Sequence, residues 1–269
     1  PVTKKELTQW FFKITEYAEE LLEKLDGLDW PEKTKHMQRN WIGKSVGANI
    51  IFNIKGFEDK IEVFTTRSDT IYGATYLVLA PEHPLLNSIV LSENIEAVKS
   101  YIESAKVKTE IERMSVDRKK TGVFTGSYAV NPINKAEIPI WVADYVVSSY
   151  GTGAIMAVPS GDERDFEFAK TFNLPIIEVV SNDGKEHGND ECFSNYGISV
   201  NSGEYSGKST EKVQELINAK LDEMGCGGAK IQYKLHDWLI SRQRYWGAPI
   251  PIVHCSVCGI VPLSIDELP

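Results

Sequence analysis

Cysteine is scarce in this chain, with four residues in 269. That is too few for a disulfide framework and predicts a reducing, cytoplasmic setting. Long apolar runs are missing as well. No stretch reaches the length of a membrane span, so no transmembrane segment and no membrane partner is expected. The N-terminus, Pro1-Val-Thr-Lys-Lys-Glu-Leu7, has no apolar signal core behind its lysines. It has no initiator Met either, which predicts an excised piece. Basic charge is in deficit: the formal net charge is -9. That argues against a broad phosphate-binding surface, but a local basic patch would still suffice for a single-stranded end. Gly-x-Ser-x-Gly, a Walker loop and His-Glu-x-x-His are all absent. A conventional Ser or Cys nucleophile is therefore poorly supported. There is no internal repeat and no low-complexity tract.

What is present is an ordinary globular composition, 42% hydrophobic and 25% charged. Lys4 to Leu25 has helical apolar spacing with one broad face. Met37 to Ser45 reads as a loop or turn. Strand-like segments follow at Asn49–Ile54, Lys60–Thr66, Thr75–Ala80, Gly122–Val130, Glu137–Val142, Tyr145–Ser149, Ala154–Val158, Leu174–Val180 and Ala229–Tyr233. Helical patterns fall at Ile95–Met114, broken near Lys106–Lys108, at Asp162 to about Phe172, and at Thr210–Met224 behind Ser209 as cap. Strands outnumber helices and do not alternate with them. That predicts a mixed α+β fold with a barrel-like β core and peripheral helices rather than a doubly wound sheet. The two ends read as stubs flanking an inserted domain: residues 1–44, then the insert at 45–234, then 235–269.

Two stretches are dense in chemistry. Gly151-Thr-Gly-Ala-Ile-Met-Ala-Val-Pro-Ser-Gly-Asp-Glu-Arg-Asp165 reads as a Gly turn, a buried strand, a break, and a helix start carrying Asp162 and Asp165. Helix capping alone would also explain the two acids. Phe64-Thr-Thr-Arg-Ser-Asp-Thr70 ends a strand with three hydroxyls, a guanidinium and a carboxylate. Threonine hydroxyls can hold a water or a sugar hydroxyl, and Arg67 offers a planar fork for phosphate or carboxylate. The plainer alternative is good strand residues, with Arg67 pairing Asp69 on the surface. His83, between Glu82 and Pro84, reads as a turn histidine. Cys255-x-x-Cys258 is half of a structural zinc site. Its other two ligands are missing, so zinc at Cys255 and Cys258 is not the expected reading.

These motifs resemble the editing domain of class I aminoacyl-tRNA synthetases for branched aliphatic amino acids. Phe64 to Thr70 is similar to that family's threonine-rich motif. Gly151 to Pro159, followed by Asp162 to Asp165, resembles the leucyl members, and the flanking segments resemble the bacterial type. Gln38-Arg-Asn-Trp-Ile-Gly-Lys-Ser45 and Asp237-Trp-Leu-Ile-Ser-Arg-Gln-Arg-Tyr-Trp-Gly-Ala-Pro249 resemble the joints with the class I catalytic domain. The chain departs from the pattern at Ser160-Gly161, where many relatives read Ala-His or Gly-His, and at Ser68, where Pro is usual. Neither departure removes a group assigned to the chemistry. The family's ATP motifs, His-Ile-Gly-His and Lys-Met-Ser-Lys-Ser, are absent. ATP and magnesium are therefore expected to serve the parent enzyme, with no adenylation by this chain.

The resemblance implies hydrolysis of the ester on tRNA(Leu) mischarged with isoleucine, valine, methionine or norvaline, while the leucyl ester is rejected. It implies Asp165 as the anion that binds the substrate's α-ammonium. Thr65 and Thr66 would hold the ester, the attacking water or the oxyanion. Thr70 would block leucine sterically, its χ1 being stiff. Arg67 would contact the terminal nucleotide or orient Asp165. Met156 and Val158 would line the apolar pocket, Tyr150 would pack on the adenosine, and Asp162 would support the loop. No cofactor or metal is expected for the hydrolysis itself. The partners implied are the tRNA(Leu) 3′ end and the rest of the synthetase. The competing readings are a tRNA-end binding module without catalysis and a structural insertion.

Overall fold

A computed structural model describes residues 7–108, 110–113, 120–147, 151–241 and 249–268. The chain forms two compact units, one of residues 1–43 with 235–269 and one of residues 44–234.

In the flanking unit, strand β1 (Phe11–Phe12) is followed by a 3-10 turn at Ile14–Tyr17 and helix α1 (Ala18–Leu25). The expected single helix from Lys4 is therefore cut short. Thr15 opens the turn, and both its N–H and its hydroxyl donate to the Asp237 carboxylate, at 3.2 and 2.7 Å. Helix α2 (Glu32–Ile42) runs through the segment expected as a loop, and Gly43 ends it in the left-handed conformation.

The large unit opens with β2 (Lys44–Ile54) and β3 (Lys60–Thr65). A 3-10 turn at Ser68–Gly73 leads to β4 (Tyr76–Leu79). Helices α3 (Leu86–Ile89), α4 (Ile95–Lys106) and α5 (Glu110–Arg113) follow, and then β5 (Gly122–Val130) and β6 (Glu137–Ala143). Next come β7 (Ala154–Ala157), α6 (Glu163–Phe172), the short pair β8 (Val180–Ser181) and β9 (Ile198–Ser199), α7 (Thr210–Glu223) and β10 (Gly227–Tyr233). Back in the flanking unit are β11 (Trp238–Leu239), which pairs with β1, and the hairpin β12 (Ile252–Cys255) and β13 (Gly259–Pro262).

Seven strands make one sheet in the order β10-β2-β5-β6-β4-β7, with β3 added beside β2. Among the described residues only β4 and β6 run parallel within it. The mixed α+β class holds. The sheet curls until β3 lies near β7, but no ladder joins them among the described residues, so the barrel-like core stays open.

Period-2 alternation places the core. On β2, Ala48, Ile50, Phe52 and Ile54 point inward, and Ile50 and Phe52 face Val63 and Ile61 across the ladder. Val213, Ile217 and Leu221, spaced by four on α7, cover this face. On β4, Leu77 and Leu79 join that core, while Tyr76 and Val78 point the other way, onto a second cluster with Phe168 and Ala169 of α6.

Two expected strands are not strands. Residues 174–179 form no strand; the Val179 carbonyl accepts the Val200 N–H at 2.9 Å, and the ladder with β9 begins at Val180. Tyr145 follows β6 in a turn, Val146 and Val147 form no strand, and Ser148 and Ser149 lie outside the described residues. Met114 does too, so the helical segment from Ile95 is followed only to Arg113. The Asp144–Val146 turn is held from α5. Arg113, almost fully buried, donates from Nε to the Asp144 carbonyl and from Nη2 to the Val146 carbonyl, each at 2.7 Å. Its Nη1 also meets Glu82 at 2.6 Å. Replacing it strands two carbonyls. Arg113→Met is expected to lower stability by about 3 kcal/mol, read as a shifted urea midpoint.

Candidate functional site

The threonine-rich stretch turns at the end of β3. Gly47 of β2 makes that turn's position available: a Cβ there would lie 2.2 Å from the Thr65 carbonyl oxygen. The Thr65 hydroxyl accepts the Arg67 N–H at 3.0 Å. The Thr70 hydroxyl donates to the Arg67 carbonyl at 2.8 Å, which fixes the rotamer of a buried side chain. The Thr66 hydroxyl makes no hydrogen bond among the described residues, and its carbonyl accepts from Gln214 Nε2 of α7.

Arg67 and Asp69 do pair, but not as a surface couple. Asp69 is fully buried, and it takes a two-pronged fork from Arg67 at 3.1 and 2.9 Å. Gln214 Nε2 donates to the same carboxylate at 3.0 Å. The third guanidinium nitrogen donates to the Ser194 carbonyl, and the guanidinium carbon lies 5.0 Å from the centre of the Tyr196 ring. Arg67 is tied to these groups and makes no bond to Asp165 among the described residues, so the expectation that it orients Asp165 directly has no contact behind it. The pairing with Asp69 braces the loop.

The second stretch faces the first. Gly151 and Gly153 both take φ of +72°, a conformation costly for any other residue, and lead into β7. After Pro159, Asp162 caps α6, accepting the N–H groups of Arg164 at 2.8 Å and Asp165 at 3.3 Å. Its carboxylate also pairs with the Arg164 guanidinium at 3.0 Å. Burial pushes the Asp162 carboxyl up, but Arg164 and the two backbone donors outweigh it and leave it below its usual value. Asp162 is thus bonded to the first turn of α6.

Asp165, one turn on, is 5% exposed. One carboxylate oxygen accepts the Tyr145 hydroxyl at 3.1 Å and the other accepts the Val158 N–H at 2.9 Å. Burial and the neighbouring Asp162 charge push its pKa up to about 7, against the pull of those two donors and Arg164.

Thr65, Thr66, Arg67 and Thr70 on one wall and Met156, Val158, Asp162 and Asp165 on the other line one cleft of about 260 Å³. That is just under the roughly 300–1,000 Å³ of small-molecule pockets and suits a group of a few carbons with a polar tail. Tyr150 lies outside the described residues. Sequence reading missed Tyr145 and Gln214. Neither sits in a motif, and only the fold brings Tyr145 to Asp165 and Gln214 to Thr66 and Asp69, behind the walls of the cleft.

His83 sits in a turn, its Nδ1 accepting the Leu85 N–H, with burial pushing its pKa down. Cys255 Sγ accepts the Val257 and Cys258 N–H groups at 3.4 and 3.3 Å, which pull its thiol below the usual range. Among the described residues no group of three or more His, Cys, Asp or Glu could hold a metal ion. No helix among them is long and apolar enough to cross a membrane.

The family model for the leucyl-tRNA synthetase editing domain matches residues 39–222. Leucine–tRNA ligase of Clostridium perfringens strain 13 is 57% identical over all 269 residues, which span 33% of that protein. Leucine–tRNA ligase of Clostridium tetani strain Massachusetts / E88 is 56% identical over 268 residues, 32% of its length. A solved ternary complex, Agrobacterium radiobacter K84 agnB2 LeuRS with tRNA and LeuAMS, matches with a TM-score of 0.79 at 39% identity, over 99% of this chain and 30% of that one. The chain thus spans about a third of the relatives it matches. A match from Arg39 to Asp222, with both walls of the cleft inside it, makes this chain a member of the leucyl-tRNA synthetase family, built around that family's editing domain.

Proposed function

We propose that the cleft hydrolyses the ester between tRNA(Leu) and a wrong amino acid, whether isoleucine, valine, methionine or norvaline, and spares the leucyl ester. One observation carries the reading: a buried carboxylate and a cluster of threonine hydroxyls line the same small cleft. Asp165 receives the α-ammonium of the aminoacyl group. The apolar side chain lies against Met156 and Val158, with Thr70 at its end. Thr66, whose hydroxyl makes no hydrogen bond among the described residues, and Thr65 hold the attacking water and the carbonyl oxygen as it gains charge. Water adds to the carbonyl carbon, the ester C–O bond breaks, and the ribose oxygen leaves with a proton. An aminoacyl ester is already labile, so positioning can supply much of the rate without a strong base.

The flanking unit fits the same reading. Phe11, Phe12, Trp30 and Trp41 are exposed on it, an apolar surface for the catalytic domain of the full-length protein to cover. ATP and magnesium belong to that larger protein, not to this chain.

The test is incubation of the 269-residue chain with isoleucyl-tRNA(Leu), following acid-precipitable counts. The expected result is decay well above the uncatalysed rate. Retention of the ester with protection from hydrolysis would show a binding module instead. Decay at the uncatalysed rate without binding would leave a structural insertion. Either outcome overturns the proposal.

A further inference from the structure

We infer that Tyr145 is a positioning residue of this cleft: its hydroxyl holds the Asp165 carboxylate as an oriented anion ready for the substrate's ammonium group. This rests on the editing reading above and adds a residue to it.

The geometry is specific. Asp165 is pinned at both oxygens, by Tyr145 at 3.1 Å on one and the Val158 N–H at 2.9 Å on the other. Two donors on two oxygens fix the plane of the carboxylate, where one donor would leave a pivot. The lone pairs they do not use remain for a ligand. The Asp165 backbone carbonyl is held separately, by the Tyr76 hydroxyl at 2.9 Å. Tyr145 itself has little freedom. Arg113 grips the carbonyls on either side of it, at Asp144 and Val146. The Asp144 N–H donates to the Tyr101 hydroxyl at 3.0 Å, and Lys108 pairs with the Asp144 carboxylate at 2.7 Å. The Tyr145 ring packs 5.7 Å from that of Phe168, one turn beyond Asp165 on α6. A rigid brace therefore runs from α4 and α5 through one phenol to the cleft.

The ionisable groups facing Asp165 divide by effect. Asp162 disfavours its charge, while Arg164 and the Tyr145 hydroxyl favour it. The Tyr76 hydroxyl lies beside that of Tyr145, and Cys192 faces the acids from the loop before β9. Burial sets Asp165 near neutrality, so losing one donor to the anion changes how much of it is charged at pH 7. The direction is upward, because a hydrogen bond to the charged form is what is removed.

Tyr145→Phe keeps the ring and its packing and deletes only the hydroxyl. In the 269-residue chain acting on isoleucyl-tRNA(Leu), the acid limb of kcat/KM against pH is expected to move up by about one pH unit. With Asp165 near 7 at the start, the loss at pH 7 is about fivefold and lies mainly in KM. The alkaline limb, set by the substrate's own amine, stays in place. Substituting difluorotyrosine for Tyr145 makes a stronger donor of nearly the same shape and moves the acid limb the other way. A residue needed only for folding would lower activity without moving the limb. An acid limb unmoved in both variants overturns the inference. A wild-type chain that leaves the ester intact overturns the editing reading beneath it instead.

Discussion

Asp165→Asn is expected to lower kcat/KM for isoleucyl-tRNA(Leu) by roughly 30-fold to a few thousand-fold, the scale of a desolvated ion pair worth about 2–5 kcal/mol. The change is close to isosteric, and the site can accept it. The amide oxygen can take the Val158 N–H, and the amide nitrogen can donate to the Tyr145 oxygen, the two positions the carboxylate fills now. The ring cluster behind it is untouched. What disappears is the negative charge proposed to meet the ammonium. The same variant is expected to be more stable than the wild type at pH 8. Folding raises the Asp165 pKa from 3.8 to about 7, so between these values the native state binds more protons than the unfolded chain. Stability is therefore lost as pH rises through that window, and an amide removes the loss, on the order of a few kcal/mol. Activity and urea midpoints measured from pH 5 to pH 8 check both halves. A variant that deacylates normally would remove Asp165 from the chemistry.

Thr70→Ala is expected to open the cleft to the correct amino acid. Leucyl-tRNA(Leu), which the proposed function has the wild type spare, should be hydrolysed roughly 10- to 200-fold faster, the range known for one methylene in synthetase pockets of this class and about 1–3 kcal/mol. Thr70 is almost fully buried, and its hydroxyl bond to the Arg67 carbonyl holds it in one rotamer. A wall that cannot swing aside can exclude a single carbon. The truncation leaves the turn intact, because the Thr70 N–H still donates to the same carbonyl at 3.1 Å. Leucyl ester decay in the presence of variant and wild type is the measurement, and an unchanged rate would move the size filter elsewhere.

Both threonine and acid motifs were legible because each is contiguous and each sits where a strand ends. Alternation on β2, β3 and β5 and the spacing of Val213, Ile217 and Leu221 were equally plain. Other features escaped for physical reasons. Helix α2 has few apolar residues and buries little beyond Lys35 and Ile42, so it shows no stripe. Residues 174–179 carry a strand's composition but enter no ladder among the described residues. Ser209 stands at the head of α7 but makes no side-chain cap bond. The brace on Asp165 joins Tyr145 from a turn, Arg113 from a short helix and Tyr76 from the sheet. No periodicity connects such residues, and only packing does.

Lys44 and Tyr233, at the two ends of the large unit, face each other as ladder partners on β2 and β10. Adjacent strands stand about 5 Å apart. The whole 44–234 body therefore begins and finishes at nearly the same point in space. Such a module can be grafted into a host chain at one surface loop, or lifted out and the gap closed with a short hairpin turn.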